Sequence, residues 1–273
     1  MQNTIFKIAI SGVLGKMGKN IVKEIYRNEN KCMYLSAAIV KKGNISTKKN
    51  IGKIIGIKNS NIFINDSLEK EINNFDILID FTNPKSTIEN LKICSKYNKK
   101  IVIGTTGLSN QDIKTIEILS KKIGIVLSSN YSIGINLIFH LIKKITSTIG
   151  RHSDIEIIEA HHRNKKDAPS GTAIEMGKII SNAMNWDFQK AAIYERKNIV
   201  EARKKNTIGF STIRGGDIIG DHTAIFASLG EQIEIKHRAT NRSIFAKGAI
   251  KAANWLMSTN KIGLFNMQDV LNI

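Results

Sequence analysis

The residues best equipped for chemistry stand in one stretch, Glu159-Ala-His-His-Arg-Asn-Lys-Lys-Asp-Ala-Pro-Ser-Gly-Thr172. His161 and His162 can exchange protons near neutral pH, because an unperturbed imidazole titrates at about 6.5. Lys165 and Lys166 add fixed positive charge, and the stretch runs through Pro169 into Ser170-Gly171-Thr172 at the head of a periodic apolar segment. A helix starting there turns its N–H groups and the positive end of its dipole toward whatever the histidines face. That combination suits proton transfer to a small anionic substrate. Side-chain alternation points Arg163 away from His162 and toward a carboxylate such as Glu159 or Asp167. Thr172 with Glu175 fits a capping box.

A second constellation lies near the N-terminus. The strand pattern Ile5-Phe-Lys-Ile-Ala-Ile10 ends at Ser11 and leads into Gly12-Val-Leu-Gly15-Lys-Met-Gly18, after which helical spacing begins. Glycines in a strand-turn-helix context let the backbone approach a pyrophosphate and seat it on a helix N-terminus. The same spacing also describes a tight turn with close helix packing, but its place at the first βα turn favours the nucleotide. At the second strand's tip stand Val40-Lys41-Lys42, with no carboxylate for an adenosine ribose and two cations for a 2′-phosphate, so NADPH is expected over NADH. Lys16 offers a further cation. Three more loops follow strands at the expected ligand edge: Asp80-Phe-Thr-Asn-Pro84, Gly104-Thr-Thr-Gly107 and Ser128-Ser-Asn-Tyr131. The chain's two prolines, Pro84 and Pro169, both fall in candidate site loops.

These loops need rigid elements to hold them. Short apolar runs at 5–10, 33–40, 61–64, 76–81, 101–104 and 124–128 alternate with amphipathic segments at 17–28, 85–97 and 110–122, the last capped by Ser109 with Asp112 three residues on. That alternation predicts an α/β fold with a doubly wound parallel sheet over residues 1–131. A second, α+β domain is expected over 132–240. It should hold a helix at 134–149, a strand at 154–159, a helix from Thr172 to Met184, and strands at 207–214, 222–229 and 232–238 as successive members of an antiparallel sheet. The tail, 241–273, returns to helical periodicity at Ser243–Met257 and Gly263–Leu271 and is expected to pack back on the first domain.

Composition removes other classes. The 273 residues are 42% hydrophobic with no apolar run near the roughly 18 residues that span a membrane, so a cytoplasmic globular protein is expected. Cys32 and Cys94 make no disulfide framework or metal spacing, and no metal site is anticipated. The net charge of +18 first suggests nucleic acid. Yet the lysines are dispersed as pairs such as Lys99-Lys100 and Lys143-Lys144, without interleaved aromatics, which reads as a solvated surface that also steers anionic ligands. A semialdehyde dehydrogenase would need a nucleophilic cysteine in a site loop, and Cys94 falls in a helical segment.

With the glycine turn, Gly104-Thr-Thr-Gly107 and Glu159–Thr172 in this order, the chain resembles the 4-hydroxy-tetrahydrodipicolinate (dihydrodipicolinate) reductase family along essentially its whole length. Arg214-Gly-Gly-Asp-Ile-Ile-Gly-Asp-His-Thr223 and Gly263–Leu271 are similar to later family segments. The resemblance implies a Rossmann-like dinucleotide domain, a substrate-binding and oligomerisation domain with an open mixed sheet, and a homotetramer built on that sheet. It implies reduction of 4-hydroxy-tetrahydrodipicolinate in lysine and diaminopimelate biosynthesis. On its residues, it implies that His161 and Lys165 move protons, that His162, Gly171, Thr172 and Arg242 bind the dicarboxylate, and that Gly12, Val13, Leu14, Gly15, Lys16, Met17, Lys41, Gly104, Thr105, Thr106, Ser128, Ser129, Asn130 and Tyr131 line the cofactor. Departures concern the cofactor side. Lys16 stands where arginine is common, Val40 where many members have an acid, and Asn83 where a basic residue is frequent, so NADH is expected to bind more weakly than NADPH.

Overall fold

Residues 8 to 10 already show why the N-terminal part forms a sheet covered on both sides: Ile8 and Ile10 enter one apolar cluster and Ala9 between them enters another. The computed structural model describes residues 5–27, 32–58, 60–197 and 200–273. In chain order the elements are β1 (Phe6–Ser11), α1 (Lys16–Arg27), β2 (Met33–Ile39), α2 (Ile51–Ile55), β3 (Ile64–Asn65), β4 (Ile77–Asp80), α3 (Pro84–Lys96), β5 (Lys100–Ile103), α4 (Asn110–Ser120) and β6 (Gly124–Leu127). There follow α5 (Ile133–Ile149), β7 (Asp154–His161), α6 (Gly171–Met184), α7 (Phe188–Ala191), β8 (Ala192–Ile193), β9 (Ile208–Arg214), β10 (Gly220–Ser228) and β11 (Glu231–Ala239). The chain ends in α8 (Ser243–Thr259), β12 (Gly263–Phe265) and α9 (Met267–Leu271). Residue 28 of the anticipated first helix lies outside the described residues.

Two units result, one comprising residues up to Ile133 together with Ser243–Asn272, the other Gly134–Arg242. The first holds a parallel sheet of order β12-β6-β5-β4-β1-β2-β3. Its strands read as unbroken apolar runs because helices cover both faces. Ile77, Ile79, Val102 and Val126 face the cluster that contains α1 and α8, while Leu78, Ile101, Ile103 and Ile125 face the other. Six strands were expected and seven are present. The seventh corrects the reading of Gly263–Leu271 as helix: Gly263 has φ 141°, Leu264 and Phe265 pair with Ile125 and Val126, and helix begins only after the capping box of Asn266 and Asp269. A three-residue strand is too short to show a period.

The second unit contains a mixed sheet, order β11-β10-β7-β9-β8. Here the expectation of successive antiparallel strands fails for β9. The helix α6 carries the chain back along β7, so β9 pairs with β7 in parallel, and β10 pairs antiparallel on the other side of β7. β7 is therefore central, and its alternation buries Ile155, Ile157, Glu159 and His161 on one face. The same register sets Thr212, Glu159 and His222 in one cross-strand row and places His161 beside Arg214 in the next.

α8 closes on the first unit at one narrow point. A Cβ on Gly248 would stand 1.6 Å from the Tyr131 carbonyl oxygen, so only glycine allows this approach. Gly248→Ala is accordingly expected to cost about 1–3 kcal/mol through overpacking, read as a lower urea midpoint. An unchanged midpoint would show that the contact carries no constraint.

Candidate active site

A single buried carboxylate collects the second unit's reactive groups. Glu159 is 1% exposed, and all its acceptor capacity is used. Its Oε2 meets Nδ1 of His161 at 2.5 Å and Nη1 of Arg214 at 2.9 Å. Its Oε1 accepts from Nη2 of Arg214 at 2.7 Å, the Ser170 amide at 3.1 Å and the Thr212 hydroxyl at 3.3 Å. Burial alone would raise this carboxyl's pKa, but the hydrogen bonds and charges of His161 and Arg214 overcome it and bring the value down to about 2. The group is therefore ionised throughout the physiological range.

With Nδ1 of His161 engaged, Nε2 is the nitrogen left to exchange a proton. Gly220 keeps it accessible: a Cβ there would lie 3.0 Å from that nitrogen. The His161 ring also meets His222 edge to face, centroids 5.1 Å apart. His222 is buried, its Nε2 lies 3.1 Å from the Ser170 hydroxyl, and burial followed by the neighbouring His161 charge lowers its pKa to about 4. It is a neutral imidazole at pH 7.

The helix start corrects the expected capping box. Ser170, not Thr172, is the N-cap of α6, its hydroxyl accepting from the Ala173 amide at 3.3 Å. Gly171 and Thr172 thereby occupy the first helical turn, where backbone N–H groups favour an anion. The Ala168–Pro169 peptide bond that precedes the cap is cis. Lys165 is partly buried with Nζ 2.8 Å from Asp167, and His162 is half-buried in the same turn. The pairing foreseen for Arg163 belongs to others: Glu159 is held by Arg214 and Asp167 by Lys165, while Arg163 is exposed. Arg242 is exposed at the end of this unit.

The first unit has its own buried carboxylate at the corresponding place, the end of a strand. Asp80 is fully buried and accepts from the Thr82 amide and hydroxyl at 3.0 and 2.6 Å, from Thr87 at 3.2 Å, and through its other oxygen from Asn90 at 2.8 Å. Asn90 reaches on to Ser11 at 2.9 Å, and Thr87 to Thr105 at 2.7 Å. Burial raises its pKa and these donors oppose the rise. One acid thus ties together the loops after β1, β4 and β5.

That arrangement fits a dinucleotide through backbone more than side chains. Gly12, at φ 75°, lies so close to the Phe81 carbonyl that a Cβ would come within 2.8 Å, and one on Gly18 would come within 2.3 Å of the Gly12 oxygen. The amides of Gly12 and Val13 are already given to the Ile39 carbonyl and that of Gly15 to Gly12. The first-turn amides of Lys16 and Met17, with Leu14 just ahead of them, are the ones left to meet a phosphate. Three expected cofactor residues turn their side chains inward. Val13 is in the core, Thr105 is bound into the Asp80 network, and Tyr131 donates to the Ile103 and Val126 carbonyls at 2.8 and 3.1 Å while its ring meets Phe81. Gly104, Thr106, Ser128, Ser129 and Asn130 remain at the loop surfaces. Asn83 caps α3 by accepting from the Ser86 amide, and Pro84 is its first residue.

At the tip of β2, Lys41 and Lys42 are exposed but Val40 is buried in the core. The expectation that no carboxylate stands there is overturned, because Asp66, arriving from the end of β3, accepts from the Gly43 amide at 3.0 Å. The tip carries two cations against one acid. Cys94 is buried in α3 with its pKa raised by burial, and Cys32 is half-buried. Among the described residues no cluster suits a metal ion, and no helix is long and apolar enough to cross a membrane.

Glu159, Ser170, Arg214, Gly220 and His222 were not singled out as functional from sequence. The signal was present in part: Glu159 and His161 are two apart on a strand and so share a face. Arg214 and His222 lie in a motif whose partners only the strand register reveals.

Residues 6–131 match the family model for the dihydrodipicolinate reductase N-terminus and residues 134–271 that for its C-terminus. The chain is 58% identical over 274 residues to 4-hydroxy-tetrahydrodipicolinate reductase of Buchnera aphidicola subsp. Baizongia pistaciae, covering all of both chains. It is 50% identical over 267 residues to the protein of that name from Buchnera aphidicola subsp. Acyrthosiphon pisum (strain Tuc7), covering 98% of each. Among solved structures, a dipicolinate-bound dihydrodipicolinate reductase from Paenisporosarcina sp. TG-14 superposes with TM-score 0.73 at 25% identity, over 96% of this chain and 98% of that one. An aspartate semialdehyde dehydrogenase II from Vibrio cholerae, TM-score 0.55 at 10% identity over 93% and 99%, shares the fold alone.

The shifted groups make stability pH-dependent with a definite sign. Unfolded, His222 takes a proton below about 6.5, whereas folded it resists until about 4. Between those values the unfolded state binds more protons, so stability falls as pH falls, by at most about 1.4 kcal/mol per pH unit for one group. Glu159 acts the same way in the window from its ordinary 4.5 down to about 2. Urea midpoints at pH 7 and pH 4.5 should differ in the wild type and differ less in His222→Gln. Equal declines in both would remove His222 as the cause.

Proposed function

The chain belongs to the dihydrodipicolinate reductase family, and from that membership we propose how its residues reduce 4-hydroxy-tetrahydrodipicolinate to tetrahydrodipicolinate in lysine and diaminopimelate biosynthesis. Exchanging the 4-hydroxyl for hydrogen takes one hydride and one proton and releases water: the ring loses its 4-hydroxyl together with a hydrogen of the neighbouring ring carbon as water, and the hydride and the proton then add across the double bond so formed. A bound reduced nicotinamide nucleotide supplies the hydride. The chain's own residues supply the proton, seat the two carboxylates and hold the phosphates.

His161 donates from Nε2. Its Nδ1 is held by Glu159, so turning Nδ1 outward in place of Nε2 would break a hydrogen bond to a buried carboxylate. Lys165 is the second proton source, and its pairing with Asp167 keeps the ammonium in the loop until substrate arrives. A well-placed general acid contributes about 10²- to 10⁴-fold. His162 and Arg242 take one carboxylate and the first turn of α6, at Gly171 and Thr172, takes the other. The observation that carries this reading is the joint anchoring of His161 Nδ1 and the Ser170 amide on Glu159, which puts a proton donor and an anion-binding helix start on one support.

For the cofactor, the first-turn amides of α1 take the pyrophosphate and the loops at 104–106 and 128–130 border the nicotinamide end. Lys41, aided by Lys42 and Lys16, favours NADPH by pairing with the 2′-phosphate. Asp66 moderates that preference without reversing it, since one of its oxygens is engaged by Gly43. A homotetramer built on the open face of the second sheet is supported by the half-exposed Ile213, whose register partner Ala160 lies on the side of β7 opposite Ile155 and Ile157. The reduced nucleotide and the free thiols fit a cytoplasmic setting.

Mixing the protein with NADPH and freshly generated substrate should consume the reduced nicotinamide absorbance, and no oxidation would end this assignment. His161→Gln should lower turnover by about 10²-fold or more with cofactor affinity little changed. Equal losses of both would contradict the role of His161. Lys41→Ala should lower kcat/KM for NADPH about tenfold, one charge-assisted contact, while that for NADH holds. Placing an acid at 40 is the poorer test, because Val40 is a core residue.

A further inference from the structure

We propose that Glu159 and Arg214 are positioning residues of the reduction that together set the proton affinity of His161: Glu159 fixes which nitrogen works and Arg214 offsets the carboxylate's charge. The inference rests on His161 being the proton donor. Its basis is the geometry of one closed ion cluster. Glu159 stands between an imidazole nitrogen at 2.5 Å and a two-pronged guanidinium at 2.7 and 2.9 Å. Arg214 is held in turn by the Asp167 carbonyl at 2.6 Å and by its own strand's Ile213 carbonyl at 2.8 Å, so the fork cannot swing off the carboxylate.

The charges decide the effect. With His161 protonated, the cluster holds two cations and one anion. In the step itself the Nε2–H bond breaks, its electron pair stays on the ring nitrogen, and the proton passes to the substrate atom that has gained electron density from the hydride. The cluster then holds one cation and one anion. A lone buried carboxylate at this distance would hold the imidazolium strongly and make it a reluctant acid. Arg214, paired with both oxygens of that carboxylate, opposes this hold while leaving the orienting hydrogen bond in place. Without Glu159, by contrast, Arg214 would face the imidazolium with nothing between them.

The other groups around the pair do not offset this. β9 contributes Thr212 beside Arg214. β10 contributes His222, neutral at working pH, with His237 of β11 beyond it in the same row, and Asp221 of β10 is taken by Arg238 at 2.7 Å. The N-terminus of α6 contributes the Ser170 amide and hydroxyl. The loop supplies Lys165 and Asp167, paired with each other.

The test is to titrate the His161 imidazole by NMR in the full chain, and to record kcat/KM against pH, for wild type, Glu159→Gln, Arg214→Gln and Arg214→Lys. Because the protonated ring is the donor, activity falls above its pKa. Glu159→Gln should move that limb and the NMR titration to lower pH, and Arg214→Gln should move both to higher pH, each by about one unit or more, the usual effect of one nearby charge. Arg214→Lys should lower kcat with the limb near its wild-type position. Reduced kcat with unmoved limbs and titrations in all three would overturn the proposal, since a merely structural role predicts that result. If Glu159→Gln does not fold, the two Arg214 variants still decide between a raised and an unmoved titration. Full turnover in His161→Gln would instead remove the proton-donor reading, and the NMR titrations would still report the coupling separately.

Discussion

A carboxylate removed from water and met by an imidazole, a guanidinium fork, an amide and a hydroxyl is the interaction on which the second unit's site depends. Glu159 is expensive to bury alone, and its partners come from three places: the same strand, β9 through Thr212 and Arg214, and the cap of α6. Loss of any one would leave the buried carboxylate short of a donor, so the elements that bring them hold one another in register. His161 and the start of α6 inherit their spacing from that requirement rather than from direct contact. Steering by the +18 surface charge can bring a dicarboxylate near, but its final placement needs donors that do not move.

The first unit solves a parallel problem with Asp80. There the partners are hydroxyls and amides instead of cations, and burial leaves the pKa raised where that of Glu159 is lowered. The contrast follows from what each acid must do. Glu159 adjoins His161, the proposed proton donor, and a fixed ion beside it bears on any change of charge there. Asp80 lies beneath the loops after β1, β4 and β5, and a network of neutral donors fixes those loops without placing a cation among them.

Much of this was legible in the residues. The alternation of apolar runs and helical segments placed six strands of the first sheet, the Ser109–Asp112 capping box is present as read, and the glycine turn has the positive φ and close approaches its composition requires. What escaped depended on partners distant in sequence. The order of the second sheet is set by the crossover through α6, which local periodicity does not encode. Arg214 reaches Glu159 across 55 residues, and Asp66 arrives at the β2 tip from another strand. Between Ser170 and Thr172 as cap, both chemically suitable, the choice was made by His222 and Glu159, which engage Ser170. Val40 shows a different limit: its neighbours Lys41 and Lys42 are exposed, and only the packing distinguishes it from them.

The return of residues 243–272 to the first unit carries a consequence for the order of events during synthesis. β6 is made early, but β12, which covers its edge, follows roughly 140 residues later, about 7 to 30 s at ribosomal rates of about 5 to 20 residues per second. Throughout that interval the nascent nucleotide unit has an open strand edge and lacks the helix that fills one of its two cores. The second unit, contiguous from Gly134 to Arg242, emerges in full before the first can close. The domain begun first is completed last, and its vulnerability to wrong pairing is therefore a matter of elapsed translation time.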